Sequence, residues 1–172
     1  MGEAVGDNPN GQRAAHRALR ESLGRAKAAL ERPDDDDFFT EIAICLTWIV
    51  ALDDGCKAMP GYVERRESDS IGRTILGLRW ARGESLHQLT QVHIRREGLM
   101  FPFRFPATFG RQANWLPSED TPWNHRGSEA DRKRYKNERD RYDETLADGN
   151  VVFTVEAAQE FLWVRAIPGP DA

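Results

Sequence analysis

Residues 38–52 read FFTEIAICLTWIVAL, the most apolar stretch of this 172-residue chain. If the stretch is helical, apolar side chains cover nearly its whole circumference and leave little polar face. Such a helix is stable only when other elements cover it on several sides. The stretch therefore predicts a helix over 37–58 at the centre of a helical bundle. The aspartates at 34–37 suit the positive end of its dipole.

Helical patterns flank this central segment on both sides. Before it, alanine and leucine alternate with charged residues over 12–32, which predicts a first helix that Pro33 ends. After it, Ser68 or Ser70 can cap a third helix, which we expect to run to about His93. The central segment thus has helical neighbours on either side in sequence, as a bundle requires.

Two further helices are expected near the C-terminus. The first is opened by a capping box at Ser128 and Asp131, and Gly149 ends it. Its interleaved basic and acidic residues are typical of a solvated, salt-bridged face. Its thin apolar stripe consists of Tyr135, Tyr142 and Leu146. A β-branched run at 151–154 leads into the last helix, whose apolar residues are Ala157, Ala158, Phe161, Leu162 and Val164.

The segment 95–127 differs in kind from the helices around it. It combines prolines and glycines with phenylalanines and tryptophans, and the alternation within it indicates an extended, irregular stretch. We therefore predict an all-α bundle of four to five helices with an aromatic and proline-rich insertion and room for a small β-hairpin. One domain is expected over 12–165, with flexible tails at 1–11 and 166–172.

Composition limits the class of protein. A hydrophobic fraction of 40% and a charged fraction of 30% are typical of a soluble globular domain. The net charge of −4 does not indicate a general nucleic-acid binder. The sequence shows neither a signal-peptide pattern nor a membrane-spanning apolar run, so a cytoplasmic location is expected. Cys45 and Cys56 fit neither a zinc site nor a disulfide framework, and we expect both to be reduced core thiols.

Few residues of the chain are suited to chemistry. None of the four histidines stands at a metal-ligand spacing, so no metal site is predicted. Arg82 and His87 remain, because they interrupt two neighbouring apolar stripes of the predicted third helix. Gly83 lies one turn before His87 and leaves an open space over the imidazole. A cation and a titratable ring in such positions are costly unless they have partners, so they form the candidate site.

A structural role explains the same pair in another way. A buried arginine is often held by a carboxylate, and Asp53, Asp54 or Glu41 on the central helix could hold Arg82. A lone histidine on a helix is also more often a packed or surface residue than a catalyst. Both interpretations are open at this point.

The stretch 76–89, LGLRWARGESLHQL, resembles the signature helix of the HEPN family, the higher eukaryotes and prokaryotes nucleotide-binding domains. In that family an arginine precedes a histidine by a few residues within a helical bundle. The resemblance covers about residues 12–94. It implies a metal-independent endoribonuclease that needs no cofactor and acts as a toxin or phage-defence effector. It also implies a homodimer with the site at the interface.

The resemblance also implies roles for individual residues. Arg82 and His87 would be the catalytic pair, with the arginine on the phosphate and the imidazole moving protons. The supporting residues it implies are Asp53, Asp54, Glu84 and Ser85. An antitoxin, or a small nucleotidyltransferase-like protein, is the partner expected for a toxin of this kind, and no membrane contact is expected.

Two positions depart from the family pattern. Gly83 stands where the family usually has a polar residue directly after the arginine. Leu89 stands where toxin members regulated by AMP transfer carry a tyrosine, so that regulation is not expected. The first departure favours an alternative function, a non-catalytic module of the same fold that binds RNA, a nucleotide or a partner protein.

Arginines near the motif are candidates for contact with RNA. They are Arg79, Arg95, Arg96 and Arg104. Guanidinium groups bind phosphates in a planar, bidentate manner, and aromatic residues interleaved with arginine can stack single-stranded bases. Packing of the insertion explains its aromatic residues equally well, and the abundance of arginine in the whole chain also fits coding bias.

Overall fold

We describe a computed structural model of the chain for residues 9–32, 35–85, 92–97, 110–120 and 129–166. These residues form six α-helices and one two-stranded antiparallel sheet, which confirms the predicted all-α bundle with a small pair of strands. The helices are α1 (Pro9–Leu30), α2 (Asp36–Cys56), α3 (Tyr62–Ser68), α4 (Ser70–Ser85), α5 (Glu129–Thr145) and α6 (Val151–Ala166). The strands are β1 (Val92–Glu97) and β2 (Gly110–Trp115), and a short 3-10 helix spans Ser118–Asp120.

Helix α2 is the centre of the bundle, as its apolar sequence predicts. It packs against α1, α4 and α6. Its buried side chains are Phe38, Ile42, Cys45, Leu46, Ile49, Leu52, Asp53 and Cys56. Both cysteines are free and buried, which confirms their assignment as core thiols. Asp53 is the one charged member of this set, and its surroundings matter for the candidate site.

The sequence did not predict helix α3. Residues 59–61 were expected to end the second helix, with no further helix before Ser68. Gly61 has a φ of 70°, a left-handed conformation that glycine adopts without strain, and it reverses the chain directly before Tyr62. The seven residues that follow bury Tyr62 and Arg66 against the bundle. The expected start of the next helix near Ser70 is confirmed, but the expected cap at Ser68 or Ser70 is wrong. Asp69 caps α4 instead, because its Oδ1 accepts hydrogen bonds from the backbone N–H groups of Ile71 and Gly72 at 2.9 and 3.1 Å.

The predicted extension of the third helix to His93 is wrong for Val92 and His93. Both residues lie in β1, which pairs with β2 so that Val92 faces Trp115 and Ile94 faces Ala113. Val92 and Ile94 pack against the core while His93 is exposed, which is the two-residue alternation of a strand. Strand pairing with the buried Trp115 and Ala113 overrides the helical spacing that Val92 shares with the residues before it. Leu89 lies outside the described residues.

Strand β2 is tied to the connection between α5 and α6. The backbone N–H of Trp115 donates to the carbonyl of Gly149, and the N–H of Asp148 donates to the carbonyl of Trp115. The indole N–H of Trp115 also donates to Thr154 Oγ1 at 2.8 Å. The β-branched run at 151–154 is therefore the first turn of α6 and not a segment before it.

Helix α5 has the mixed surface that its sequence predicts. Tyr142 and Leu146 are buried, and Tyr135 packs against the core. On the outer face, Lys136 lies 3.8 Å from Asp140, and Arg141 pairs with Glu144. The face is salt-bridged and solvated, as expected.

Helices α4 and α5 approach each other closely at Gly77. A Cβ added there would lie 2.9 Å from the Cα of Tyr142 and 3.0 Å from Cδ1 of Leu146. At Gly83, further along α4, an added Cβ would meet nothing within 4 Å. Of the three glycines of α4, Gly77 and Gly83 therefore have opposite surroundings. Among the described residues, no helix combines the length and the apolar character that crossing a membrane requires.

Candidate functional site

Arg82 lies in the last turn of α4 and is half-buried. Glu84 and Ser85 complete the same helix directly after it. His87, the second member of the predicted pair, lies outside the described residues. The catalytic pair and the supporting roles of Glu84 and Ser85 therefore stay predictions.

Arg82 and Gly83 border a cavity of about 170 Å³ between α4 and α5. The other residues that line it are Val50, Arg79, Trp80, Arg134, Tyr135 and Glu138. With Arg82 the lining contains three guanidinium cations, the others being Arg79 and Arg134, and one carboxylate, Glu138. A Cβ added at Gly83 meets no atom of the described residues within 4 Å, whereas the predicted space over the imidazole of His87 involves a residue outside them. Guanidinium groups are suited to bind an anionic group such as a phosphate, and here those of Arg79 and Arg134 also pair with carboxylates of the fold.

The aromatic wall of this cavity is held firmly by packing. Trp80 is 1% exposed, and its ring centroid lies 4.5 Å from that of Tyr142 and 6.1 Å from that of Tyr135. Its indole N–H has no acceptor among the described residues. The wall therefore has a fixed shape and adds a further hydrogen-bond donor to the region.

Asp53 is fully buried and lies at the centre of a polar cluster joining α2, α3 and α4. Its carboxylate accepts hydrogen bonds from Tyr62 Oη at 2.8 Å and from Arg66 Nη1 at 2.9 and 3.1 Å. Nη1 of Arg79 donates to the other side of the same carboxylate at 2.9 Å. The resemblance assigns Asp53 to the support of Arg82 and His87, and that role stays a prediction; the contacts that the structure gives Asp53 are those with Tyr62, Arg66 and Arg79.

Arg79 connects this cluster to the cavity. It donates to Asp54 Oδ1 at 2.8 Å as well as to Asp53, and its Nε lies 3.8 Å from a carboxylate oxygen of Glu138. The side chain is only 11% exposed, so its charge is used within the fold. A phosphate of RNA would have to compete with these carboxylates for Arg79, so the suggested RNA contact stays a prediction. Of the other suggested RNA contacts, Arg95 and Arg96 lie in β1, and Arg104 lies outside the described residues.

The cluster shifts the pKa values of Tyr62 and of the adjoining Asp54. Burial raises the pKa of Tyr62, and the neighbouring charge of Asp53 raises it further, so Tyr62 remains a donor. Burial tends to raise the pKa of Asp54, but hydrogen bonds from Lys57 and Arg79 outweigh it and hold that pKa below its usual range. Glu41, the third carboxylate considered for Arg82, accepts a hydrogen bond from Arg25 at 2.7 Å.

Sequence reasoning missed Tyr62 and Arg66 because it did not predict α3. They stand four residues apart, so both side chains leave α3 on the same face. The signal that was available is the four-residue spacing of a tyrosine and an arginine directly after a glycine turn.

A larger groove of about 540 Å³ lies beside α5, but its lining is different in character. It is bordered by four carboxylates and only two arginines: Glu67, Glu138, Asp140 and Glu144 with Arg134 and Arg141. An excess of carboxylates repels phosphate, so the smaller cavity at Arg82 is the better candidate. In the part of the chain that the structure describes, His, Cys, Asp and Glu side chains form no group of three that could hold a metal.

Comparison with protein-family models, with curated proteins and with solved structures finds no match to this chain. A functional assignment therefore depends on the residues of the motif and of the cavity themselves.

Proposed function

We propose that the chain is a metal-independent endoribonuclease of the HEPN type, with its active site at Arg82 and His87. The observation that carries the proposal is the position of Arg82. It borders a cavity that Arg79 and Arg134 also line, next to a glycine at which an added Cβ meets no described atom within 4 Å. The sequence motif supplies the second half of the argument, because it places a histidine shortly after this arginine.

The chemistry needs few protein groups, because RNA carries its own nucleophile. The 2′-hydroxyl attacks the neighbouring phosphorus and displaces the 5′-oxygen, which leaves a 2′,3′-cyclic phosphate and a 5′-hydroxyl. An imidazole with a pKa of about 6.5 can accept the proton of the 2′-hydroxyl, and a second one can protonate the leaving oxygen. In a homodimer, which belongs to this proposal, the second imidazole is His87 of the other copy.

Arg82 would stabilise the negative charge that builds up on the phosphate oxygens. Guanidinium groups do this through two parallel N–H···O bonds, and such stabilisation is usually a large part of the rate enhancement. Within the proposal, the site works in a toxin or phage-defence effector, whose antitoxin would cover the cavity or block the dimer.

The test is cleavage of mixed cellular RNA in excess chelator by the wild type, Arg82→Ala and His87→Ala. Matched controls are Arg65→Ala and His93→Ala, which remove an exposed arginine and an exposed histidine elsewhere. We expect the wild type and both controls to cut, and both site variants to lose activity by at least about a hundredfold. Equal cutting by all five proteins would exclude these residues as the catalytic pair.

Gly83 favours a second function, a non-catalytic module that binds RNA, a nucleotide or a partner protein. Members of the HEPN family usually have a polar side chain directly after the arginine. Gly83 cannot supply that polar contact at the site. Intact RNA with a folded, dimeric wild-type protein would favour this module. Tight RNA binding in the same preparation would identify its ligand.

A further inference from the structure

Three arginines form a stripe along the outward face of α1. Arg13, Arg17 and Arg20 follow one another at intervals of four and three residues, which places them on one side of the helix. All three are exposed, and none of them forms a salt bridge with a residue that the structure describes. We call these three residues the α1 stripe.

Folding gives no reason for the α1 stripe. The other side of α1 carries the packing residues, among them Leu19, Leu23 and Ala26. Like charges three and four residues apart repel each other and destabilise a helix. The first turn of α1 has no acidic residue to offset the helix dipole, which adds to the positive field.

Neighbouring charges are compensated in a way that the stripe is not. Arg25 donates to Glu41 at 2.7 Å, and Lys27 pairs with Glu156 of α6. On α5 the basic residues alternate with carboxylates and pair with them. The stripe is thus a positive surface on a chain whose net charge is −4, and the exposed Glu21 is the one carboxylate of α1 beside it.

Gly24 continues the same side of α1 one turn after Arg20. It is exposed, and a Cβ added there would meet nothing within 4 Å, so no packing contact requires a glycine. A glycine inside a helix is destabilising relative to alanine. Its effect on the surface is to leave room for a ligand to approach the helix backbone beside the arginines.

We propose that the α1 stripe binds the phosphate backbone of RNA at a surface separate from the cavity of Arg82. Guanidinium groups match phosphate oxygens in bidentate geometry, and three of them spaced along about 10 Å of helix can hold neighbouring phosphates of one strand. Helix α1 packs on α2 and α6, whereas the cavity is lined mainly by α4 and α5. The stripe would therefore hold one part of a long RNA while another part of the same RNA occupies the cavity.

This inference rests on the proposed function only in taking RNA as the ligand, and its test does not need cleavage. The probe is a fluorescent 2′-O-methyl RNA of about 20 nucleotides, which lacks the attacking hydroxyl and cannot be cut. Anisotropy titrations from about 50 to 200 mM salt compare the wild type with Arg17→Gln/Arg20→Gln. The matched control is Arg32→Gln/Arg65→Gln, which removes two exposed arginines that have contacts within the chain.

We expect the stripe variant to bind roughly tenfold more weakly at low salt, and the salt slope to fall by about 1.4 for two lost phosphate contacts. The control should match the wild type. Arg17→Lys/Arg20→Lys keeps the charge and should keep the slope, which separates loss of contact from loss of fold. Equal binding by the wild type and the stripe variant, or no RNA binding by any of the proteins, would overturn the inference.

A competition experiment separates RNA from an acidic protein partner. If polyglutamate displaces the RNA at an equal concentration of charge, the stripe is a surface for acidic protein and the inference is wrong. Failure of the proposed function has a different result. In that case the wild type binds the oligomer through the stripe but leaves an unmodified RNA of the same sequence intact.

Discussion

The carboxylate of Asp53, on α2, accepts two hydrogen bonds from a single nitrogen of Arg66, on α3, at 2.9 and 3.1 Å. Asp53 is completely buried and the Arg66 side chain is 8% exposed. The same carboxylate also serves Arg79 of α4, so one anion compensates two largely buried cations. One side chain therefore joins three helices, and its removal should weaken the packing of all three.

Asp53→Ala should destabilise the fold by about 3 to 5 kcal/mol, because it removes the one fully buried carboxylate that Arg66 and Arg79 share and takes the hydrogen-bond acceptor from Tyr62. Asp54→Ala provides a matched control, since Asp54 is the next residue on the same helix but its side chain is 50% exposed. We expect that change to cost less than about 1 kcal/mol. Urea unfolding followed by circular dichroism measures both, and similar losses in the two variants would contradict the importance given to burial here.

Substitution of Gly77 and of Gly83 by alanine should change the stability of the fold in opposite directions. Gly77→Ala places a methyl group 2.9 Å from the backbone of Tyr142, so α4 and α5 must move apart, at a cost of about 1 to 3 kcal/mol. Gly83→Ala meets open space and should stabilise the helix by up to about 1 kcal/mol. Thermal unfolding of both variants is the measurement, and a stabilised Gly77→Ala protein would show that the close approach is not present.

His16 should make stability depend on pH. Burial lowers its pKa below the ordinary value, while a hydrogen bond with the Leu162 backbone opposes this more weakly. Its Nε2 has no partner among the described residues, and its ring meets Trp163 edge-on at 5.0 Å. The folded state thus binds fewer protons than the unfolded state at mildly acidic pH.

The sign follows from that difference in proton binding. The stability contribution of neutral His16 is complete above the unfolded pKa of about 6.5 and is lost as the pH falls below it. Urea unfolding between about pH 5 and 7.5 should show this slope in the wild type and a flatter one in His16→Phe. Equal slopes in the two proteins would exclude His16 as the source.

Both cysteines should be unreactive in the folded protein. Cys45 is 0% and Cys56 1% exposed, and burial raises the pKa of the Cys45 thiol to about 12. Since the thiolate is the reactive form, labelling by a disulfide reagent near pH 8 should be slow and should become complete in denaturant. Rapid labelling of one thiol in native buffer would show that this part of the core opens readily.

The helical core could be predicted from the sequence because its signals are local. The apolar run at 38–52 and the thin stripe of α5 each identify a helix and its buried side. Val92 shows where such reasoning fails, because its helical spacing conflicts with a strand pairing that depends on Trp115, far away in sequence. The short helix α3 is held by contacts of Tyr62 and Arg66 with residues of other helices. Its seven residues are too few to show a helical repeat of apolar side chains in the sequence.

In the candidate site, too, some features follow from local sequence and others depend on residues that are distant in sequence. The position of Arg82 on a helix and the open space at Gly83 follow from local spacing. The cationic wall does not, because Arg134 and Tyr135 come from α5, and only the packing of α5 on α4 brings them to Arg82. Likewise the sequence indicates Asp53 as a carboxylate that can pair with an arginine, but which cations it pairs with depends on how three helices meet.

The contrast between Gly77 and Gly83 has a consequence for how this protein could change its preferences. The backbone contact at Gly77 sets how far apart α4 and α5 lie, and that separation sets the width of the cavity further along the same helices. A population selected for a new target should therefore acquire substitutions at 77 and on the facing turn of α5, as well as in the cavity lining. Residues that never touch a ligand would tune the selectivity of those that do.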